Sequence, residues 1–177
     1  MNRVSRRLAT ILATDCVSFS AHMENDEVGT LESLTFCRNI IDKTISDAKG
    51  RIFHTAGDSV IAEFASPVEC VQAAHQFLCS IAEHNRTTVS RPALEWRIGI
   101  HIDDIIIEGD NVFGSGVNVA ARLESVCDPG RILLSRFVAE QVKKRLDLPI
   151  IADGTRVLKN ISDSFEVFTI QHSTTEK

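Results

Sequence analysis

The tetrad Thr55-Ala56-Gly57-Asp58, set between two short β-rich runs at 51–55 and 59–64, constrains the fold of this chain more than any other stretch. A Gly-Asp turn between two such runs closes a tight antiparallel hairpin. Its tip then carries a carboxylate, where a side chain can reach a metal ion but cannot join a core. Upstream, the apolar run Leu8-Ala9-Thr10-Ile11-Leu12-Ala13-Thr14 stops abruptly at Asp15, a second carboxylate at the end of a strand.

The remaining elements follow in a definite order. The first strand spans 8–17, and Glu24-Asn25-Asp26-Glu27 reads as a polar loop. Leu34, Cys37, Ile41, Ile45 and Ala48 recur at helical spacing, and Gly50 stops that helix. After the hairpin, Ser66-Pro67-Val68-Glu69 is a capping box with proline at the first helical position. The stripe Val68, Val71, His75, Leu78 and Ala82 is expected to be buried, His75 as a packed histidine and Trp96 as core. A long strand covers 95–107, and Gly109-Asp110-Asn111 turns it into a hairpin. A third helix covers 117–127, followed by a strand at 131–135, a helix at 136–145 and a strand at 165–170. This order predicts an α+β fold, a ferredoxin-like βαββαβ core with a C-terminal α/β extension.

Size and charge narrow the function classes. A chain of 177 residues with 44% hydrophobic content makes one domain, 1–177, with a core at about 7–170 and frayed ends such as 173–177. A net charge of −5 argues against broad nucleic-acid or anionic-membrane binding. The odd set Cys16, Cys37, Cys70, Cys79 and Cys127 has no CxxC pair, so reduced core cysteines in a cytoplasmic protein are expected. Met1 to Arg7 and the apolar run after it imitate a signal peptide, but Asp15 cuts the apolar stretch short, and a first strand is the better reading. No run approaches the roughly 18 apolar residues a membrane span requires.

Gly114-Ser115-Gly116-Val117-Asn118-Val119-Ala120-Ala121-Arg122 opens the third helix with Asn118 and Arg122 on one face. Two acids for divalent metal, with an amide and a guanidinium on a helix, suit phosphoryl chemistry on a nucleotide. A lone turn aspartate is usually only a turn residue, and Asn118 with Arg122 could be a solvated face. The combination is what carries the reading. His22, His84 and His172 show no ligand spacing.

Taken with Ala13-Thr14-Asp15, Arg97-Ile98-Gly99-Ile100-His101 and Leu158-Lys159-Asn160, in this order, the motifs resemble the catalytic domain of class III nucleotidyl cyclases, bacterial branch, over about 7–170. The resemblance implies conversion of a nucleoside triphosphate to its 3′,5′-cyclic monophosphate and pyrophosphate, in cyclic-nucleotide signalling. It implies two divalent ions, Mg²⁺ or Mn²⁺, held by Asp15 and Asp58 with the carbonyl of Cys16. It gives Asn118 the ribose, Arg122 the charged transition state, and the turn at Phe19 and Ser20 together with Lys159 the triphosphate. It also implies a homodimer whose two sites each take metal acids from one chain and Asn118, Arg122 and the base-selecting residues from the other. Sensor domains are often fused to such units.

The base-selecting positions depart from the family's pattern. Many adenylyl cyclases carry lysine and aspartate where this chain has His54 and Asn111; guanylyl cyclases commonly carry glutamate and cysteine. An asparagine amide suits either purine, and an imidazole donates or accepts according to tautomer. ATP is the first choice, from a protonated His54 standing in for lysine; GTP and pyrimidine nucleotides stay open. Asp103 and Asp104 also depart, Asp103 standing where family members frequently have glycine. Three other readings compete. A diguanylate cyclase would need a Gly-Gly-acid loop, and an RNA-binding module would expose aromatics on its central strands. A non-catalytic, cyclase-like dimerisation module rests on the unusual His54/Asn111 pair, against Asp15, Asp58, Asn118 and Arg122.

Overall fold

In a computed structural model describing residues 4–171, every main element expected from the sequence is present, and one strand and a short helix, α1, appear that were not. The chain runs β1 (Ser5–Cys16), α1 (Phe19–Asn25), α2 (Glu27–Asp47), β2 (Arg51–Ala56), β3 (Ser59–Phe64), α3 (Pro67–Thr87) and β4 (Trp96–Glu108). It continues with β5 (Asn111–Phe113), α4 (Ser115–Ser125), β6 (Ile132–Ser135), α5 (Arg136–Val142), β7 (Ile150–Val157) and β8 (Ser164–Ile170). The strands form one mixed sheet in the order β2-β3-β1-β4-β6-β8-β7, with β5 paired to β4. Its first four strands have the ferredoxin-like order and are antiparallel, while β4 and β6 are parallel. The fold is α+β, as expected. Residues 1–3 and 172–177, which include the start of the signal-like segment, His172 and the expected frayed tail, lie outside the described residues.

The two faces of the sheet are covered differently. On one face, Cys37, Ile41 and Ile45 of α2, Val71, Ala74 and Phe77 of α3, and Val138 and Val142 of α5 pack on Leu12, Val60, Ile98, Ile100 and Leu134. On the other, α4 lays Val119, Ala120 and Leu123 against β1, β4 and β6. Covering on both sides is why residues 9–14 of β1 are all buried, and why the strand reads as a continuous apolar run. Gly99 permits the close approach of α4: a Cβ there would lie 2.3 Å from the amide nitrogen of Glu124 and 2.4 Å from the carbonyl oxygen of Ala120.

Several local expectations need correction. Residues 24–27 are not a loop: Asn25 ends α1, and the Asp26 side chain accepts from the Gly29 amide as the N-cap of α2. The Ser66 half of the capping box is present, its hydroxyl accepting from the Glu69 amide, but the buried stripe of α3 is rotated. Cys70, Val71, Ala73, Ala74, Phe77, Leu78 and Ile81 face inward. His75 is half-buried, 3.6 Å from the thiol of exposed Cys79, and Ala82 is exposed. Helix α4 begins two residues earlier than predicted, and α5 ends at Val142. The unexpected strand is β7, an edge strand with a bulge between Ala152 and Thr155. The other four cysteines are buried, all five are unbridged, and Trp96 is in the core.

Candidate functional site

Strand β1 delivers Asp15 one residue before its end, and the β2–β3 hairpin delivers Asp58 at its tip, with Gly57 left-handed at φ 59°. The Cys16 amide donates to Asp58 Oδ2 at 2.8 Å, which ties the hairpin tip to the end of β1 and brings both carboxylates to one corner. Burial first, and then the charges of Asp58 and Asp15, push the Cys16 thiol up to about 12.

Asp15 has a close cationic neighbour. Its cross-strand partner in the β1–β4 register is Arg97, whose Nε donates to Oδ1 at 2.9 Å and whose second nitrogen reaches Oδ2 at 3.4 Å. The same guanidinium donates to the Ser125 carbonyl at 3.1 Å, at the end of α4. Glu124 Oε1 also lies 2.9 Å from Arg97 Nε, but the single Nε–H is directed at Asp15, and Oε1 receives no aligned hydrogen bond. Burial, with the hydrogen bond and charge of Asp15 behind it, pushes the Glu124 carboxyl up to about 9, and Arg97 offsets this only in part. The hydrogen bond to Asp15 raises the Arg97 pKa. Sequence reasoning quoted Arg97 only as part of a motif and missed Glu124 altogether. The available signal was a glutamate at a buried position of an apolar helix face, a place where unpaired acids are rare.

The chain then enters α1 through Ser18, a non-glycine residue in the left-handed region at φ 54°, which turns the backbone sharply after the carboxylate corner. Amides in the first turn of a helix lack intrahelical acceptors, so Phe19 and Ser20 sit where backbone donors are available. The Phe19 ring itself packs on the main core.

The remaining predicted residues gather in two cavities. Asn118, Arg122 and Lys159 line one of about 280 Å³, together with Ser115 and Asn160. His54 and Asn111 line another of about 320 Å³, whose walls are Phe53, Ile61, Val112, Phe113 and Val117. Neither cavity is lined by Asp15 or Asp58. One chain therefore brings together the two acids, the helix pair with Lys159, and the pair at 54 and 111, but as three separate groups. Asp103, the departure noted above, accepts from the Asp104 amide at 2.8 Å and from the Ser115 hydroxyl at 3.4 Å, latching β4 to the start of α4.

Among the described residues, no three His, Cys, Asp or Glu side chains are clustered to hold a metal ion. The donor set still fits hard divalent ions. Mg²⁺ is usually held by one or two carboxylates, with waters and substrate phosphates completing the shell, rather than by an all-protein cage. Two carboxylates tethered at one corner meet that need. No helix among the described residues is long and apolar enough to cross a membrane.

Comparison with known proteins bears on the fold and the family. The family described as "Adenylate and Guanylate cyclase catalytic domain" matches residues 3–170. The Rhizobium meliloti protein named "Putative adenylate cyclase 3" is 36% identical over 94% of this chain and 28% of its own length. A Streptomyces coelicolor adenylate cyclase is 30% identical over 82% of this chain and 37% of its own length, so the chain spans well under half of these relatives. Among solved structures, the adenylate/guanylate cyclase/hydrolase from Silicibacter pomeroyi superposes with a TM-score of 0.87 at 33% identity, covering 95% of this chain and 98% of the other. The adenylyl cyclase CyaB from P. aeruginosa, at 20% identity, shares the fold with a TM-score of 0.84 over 98% of both chains. The chain belongs to the adenylate and guanylate cyclase catalytic domain family.

Proposed function

We propose that residues 1–177 act as a single catalytic domain that cyclises a nucleoside triphosphate, ATP first, in the cytoplasm and as a homodimer. The observation that carries this reading is the 2.8 Å bond from the Cys16 amide to Asp58, which gathers two carboxylates at the mouth of a strand–helix turn. Family membership supports the reaction class, and relatives named as adenylate cyclases support ATP.

Asp15 and Asp58, with the Cys16 carbonyl, would hold two ions, Mg²⁺ or Mn²⁺. Bound there, the ions supply positive charge that acidifies the ribose 3′-hydroxyl and neutralises the phosphates. The chain's own groups do the rest. Asn118 orients the ribose so that its 3′-oxygen meets the α-phosphorus in line with the departing pyrophosphate. Arg122 donates to the oxygens on which charge develops. Lys159 and the backbone amides at Phe19 and Ser20 hold the triphosphate. His54 and Asn111, facing one cavity with aromatic and aliphatic walls, read the edge of the base. Asn118, Arg122 and Lys159 share a cavity that neither Asp15 nor Asp58 lines, which supports a second copy bringing its acids to them.

The test is a product assay with ATP, GTP, CTP and UTP, each with Mg²⁺ and with Mn²⁺. Cyclic AMP is the expected main product. Asp15→Ala or Asp58→Ala should each lower turnover at least about 10²-fold while the protein stays folded, as removal of a principal electrostatic element does. No metal-dependent turnover of any nucleotide would leave only a cyclase-like dimerisation module.

A further inference from the structure

Arg97 belongs to a motif for which the reading above gives no role, although it makes the densest set of polar contacts near the candidate metal corner. Its guanidinium grips both oxygens of Asp15, at 2.9 and 3.4 Å, and is anchored to α4 by the Ser125 carbonyl at 3.1 Å. Beside it, Glu124 is 7% exposed, and its Oε1, 2.9 Å from Arg97 Nε, is buried without an aligned donor. Glu124 also shares a hydrogen bond with Asp15, and its Oε1 is left facing Arg97 Nε. Here a donor is already in place: a modest turn of the guanidinium moves the Nε–H from Asp15 to Glu124.

We propose that Arg97 is a positioning residue whose guanidinium serves two carboxylates in turn. It is the resident counter-cation of Asp15, and it transfers to Glu124 when a divalent ion takes that carboxylate. The proposal rests on the reading of Asp15 as a metal ligand. Two cations compete for one carboxylate, so Arg97 weakens metal binding by the strength of the pair it makes. In return it holds the Asp15 side chain in one rotamer. Glu124 lowers the cost of exchange by receiving the displaced donor.

A merely structural arginine would not produce the sign this predicts. Mn²⁺ alone, without nucleotide, is titrated into the full chain, and free Mn²⁺ is followed by electron paramagnetic resonance. Asp15→Asn should weaken binding. Arg97→Gln should tighten it at least about 3-fold, the scale of a partly exposed ion pair, and Arg97→Lys should fall between Arg97→Gln and wild type. Glu124→Leu should weaken it by a similar factor, because Arg97 then has no second carboxylate to move to. In the assay with nucleotide, Arg97→Gln should show both a lower kcat and a lower metal concentration for half-activation. If Arg97→Gln fails to fold by thermal melting, Arg97→Lys against wild type decides the matter. Arg97 variants that bind Mn²⁺ no tighter than wild type, while Asp15→Asn binds less, overturn this proposal and leave the metal assignment standing. Mn²⁺ binding that is indifferent to Asp15→Asn overturns both.

Discussion

His54 and Asn111 are both exposed, and both face one cavity of about 320 Å³ between the β2–β3 hairpin and β5. Each offers hydrogen bonds that reorient, the imidazole by tautomer and the amide by rotation, so neither residue commits the cavity to one purine. Replacing both with groups of fixed polarity should sharpen the choice. His54→Lys with Asn111→Asp is expected to raise the ATP-over-GTP ratio of kcat/KM by about 2- to 12-fold per contact, the range for one well-placed hydrogen bond. An unchanged ratio in a variant that still turns over would remove these residues as base readers. Neither position announces itself alone, since a histidine in a strand and an asparagine at a turn are ordinary residues. Their common cavity joins segments far apart in the chain, and only the β3–β1–β4–β5 pairing brings them together.

At the scale of elements, α4 governs the arrangement. It carries Asn118 and Arg122 outward and packs Val119, Ala120 and Leu123 inward, and its last turn touches Arg97. Gly99 sets how close it lies to β4, because a methyl there would collide with backbone atoms that cannot rotate away. Gly99→Ala should therefore push α4 off the sheet, costing about 1–3 kcal/mol, the range for overpacking a core. A denaturant titration measures that loss. Because Asn118 and Arg122 ride on the helix, kcat should fall as well; unaltered stability and kcat would show that the contact relaxes without moving α4. The helical spacing of Cys37, Ile41 and Ile45 was readable beforehand, since α2 presents one regular stripe to one sheet face. The stripe of α3 was misjudged because α3 packs against α2, α5 and the sheet together. Its buried arc is therefore wide, and spacing alone does not find its centre. Strand β7 escaped notice for the opposite reason: it is an edge strand, mostly exposed and interrupted by a bulge, so no alternation marks it.

At the scale of the whole molecule, the three separate groups of candidate site residues lead to a mixing experiment. Asp58→Ala and Arg122→Ala proteins should each be inactive, and their mixture should recover activity. A mixed dimer holds one site with intact acids facing an intact Arg122. Turnover of the mixture, measured after subunit exchange has been shown by labelled chains, is expected to approach about a quarter of wild type if pairing is random and one of each dimer's two sites survives. Mixtures that stay inactive after exchange would rule out shared sites. What the sequence determined by itself was local: the hairpin with Asp58 at its tip, the strand ending at Asp15, the capped helix after Ser66, and Asn118 and Arg122 on one helix face. Each follows from neighbours within a few residues, through turn chemistry, capping and helical periodicity. The tertiary structure alone decided which distant groups meet: Asp58 with the Cys16 amide, His54 with Asn111, and Arg97 between Asp15 and Glu124. Those encounters depend on strand order and on the depth at which α4 seats. The chain sets both only when the whole core closes, because burial and charge pairing act between surfaces rather than along the backbone.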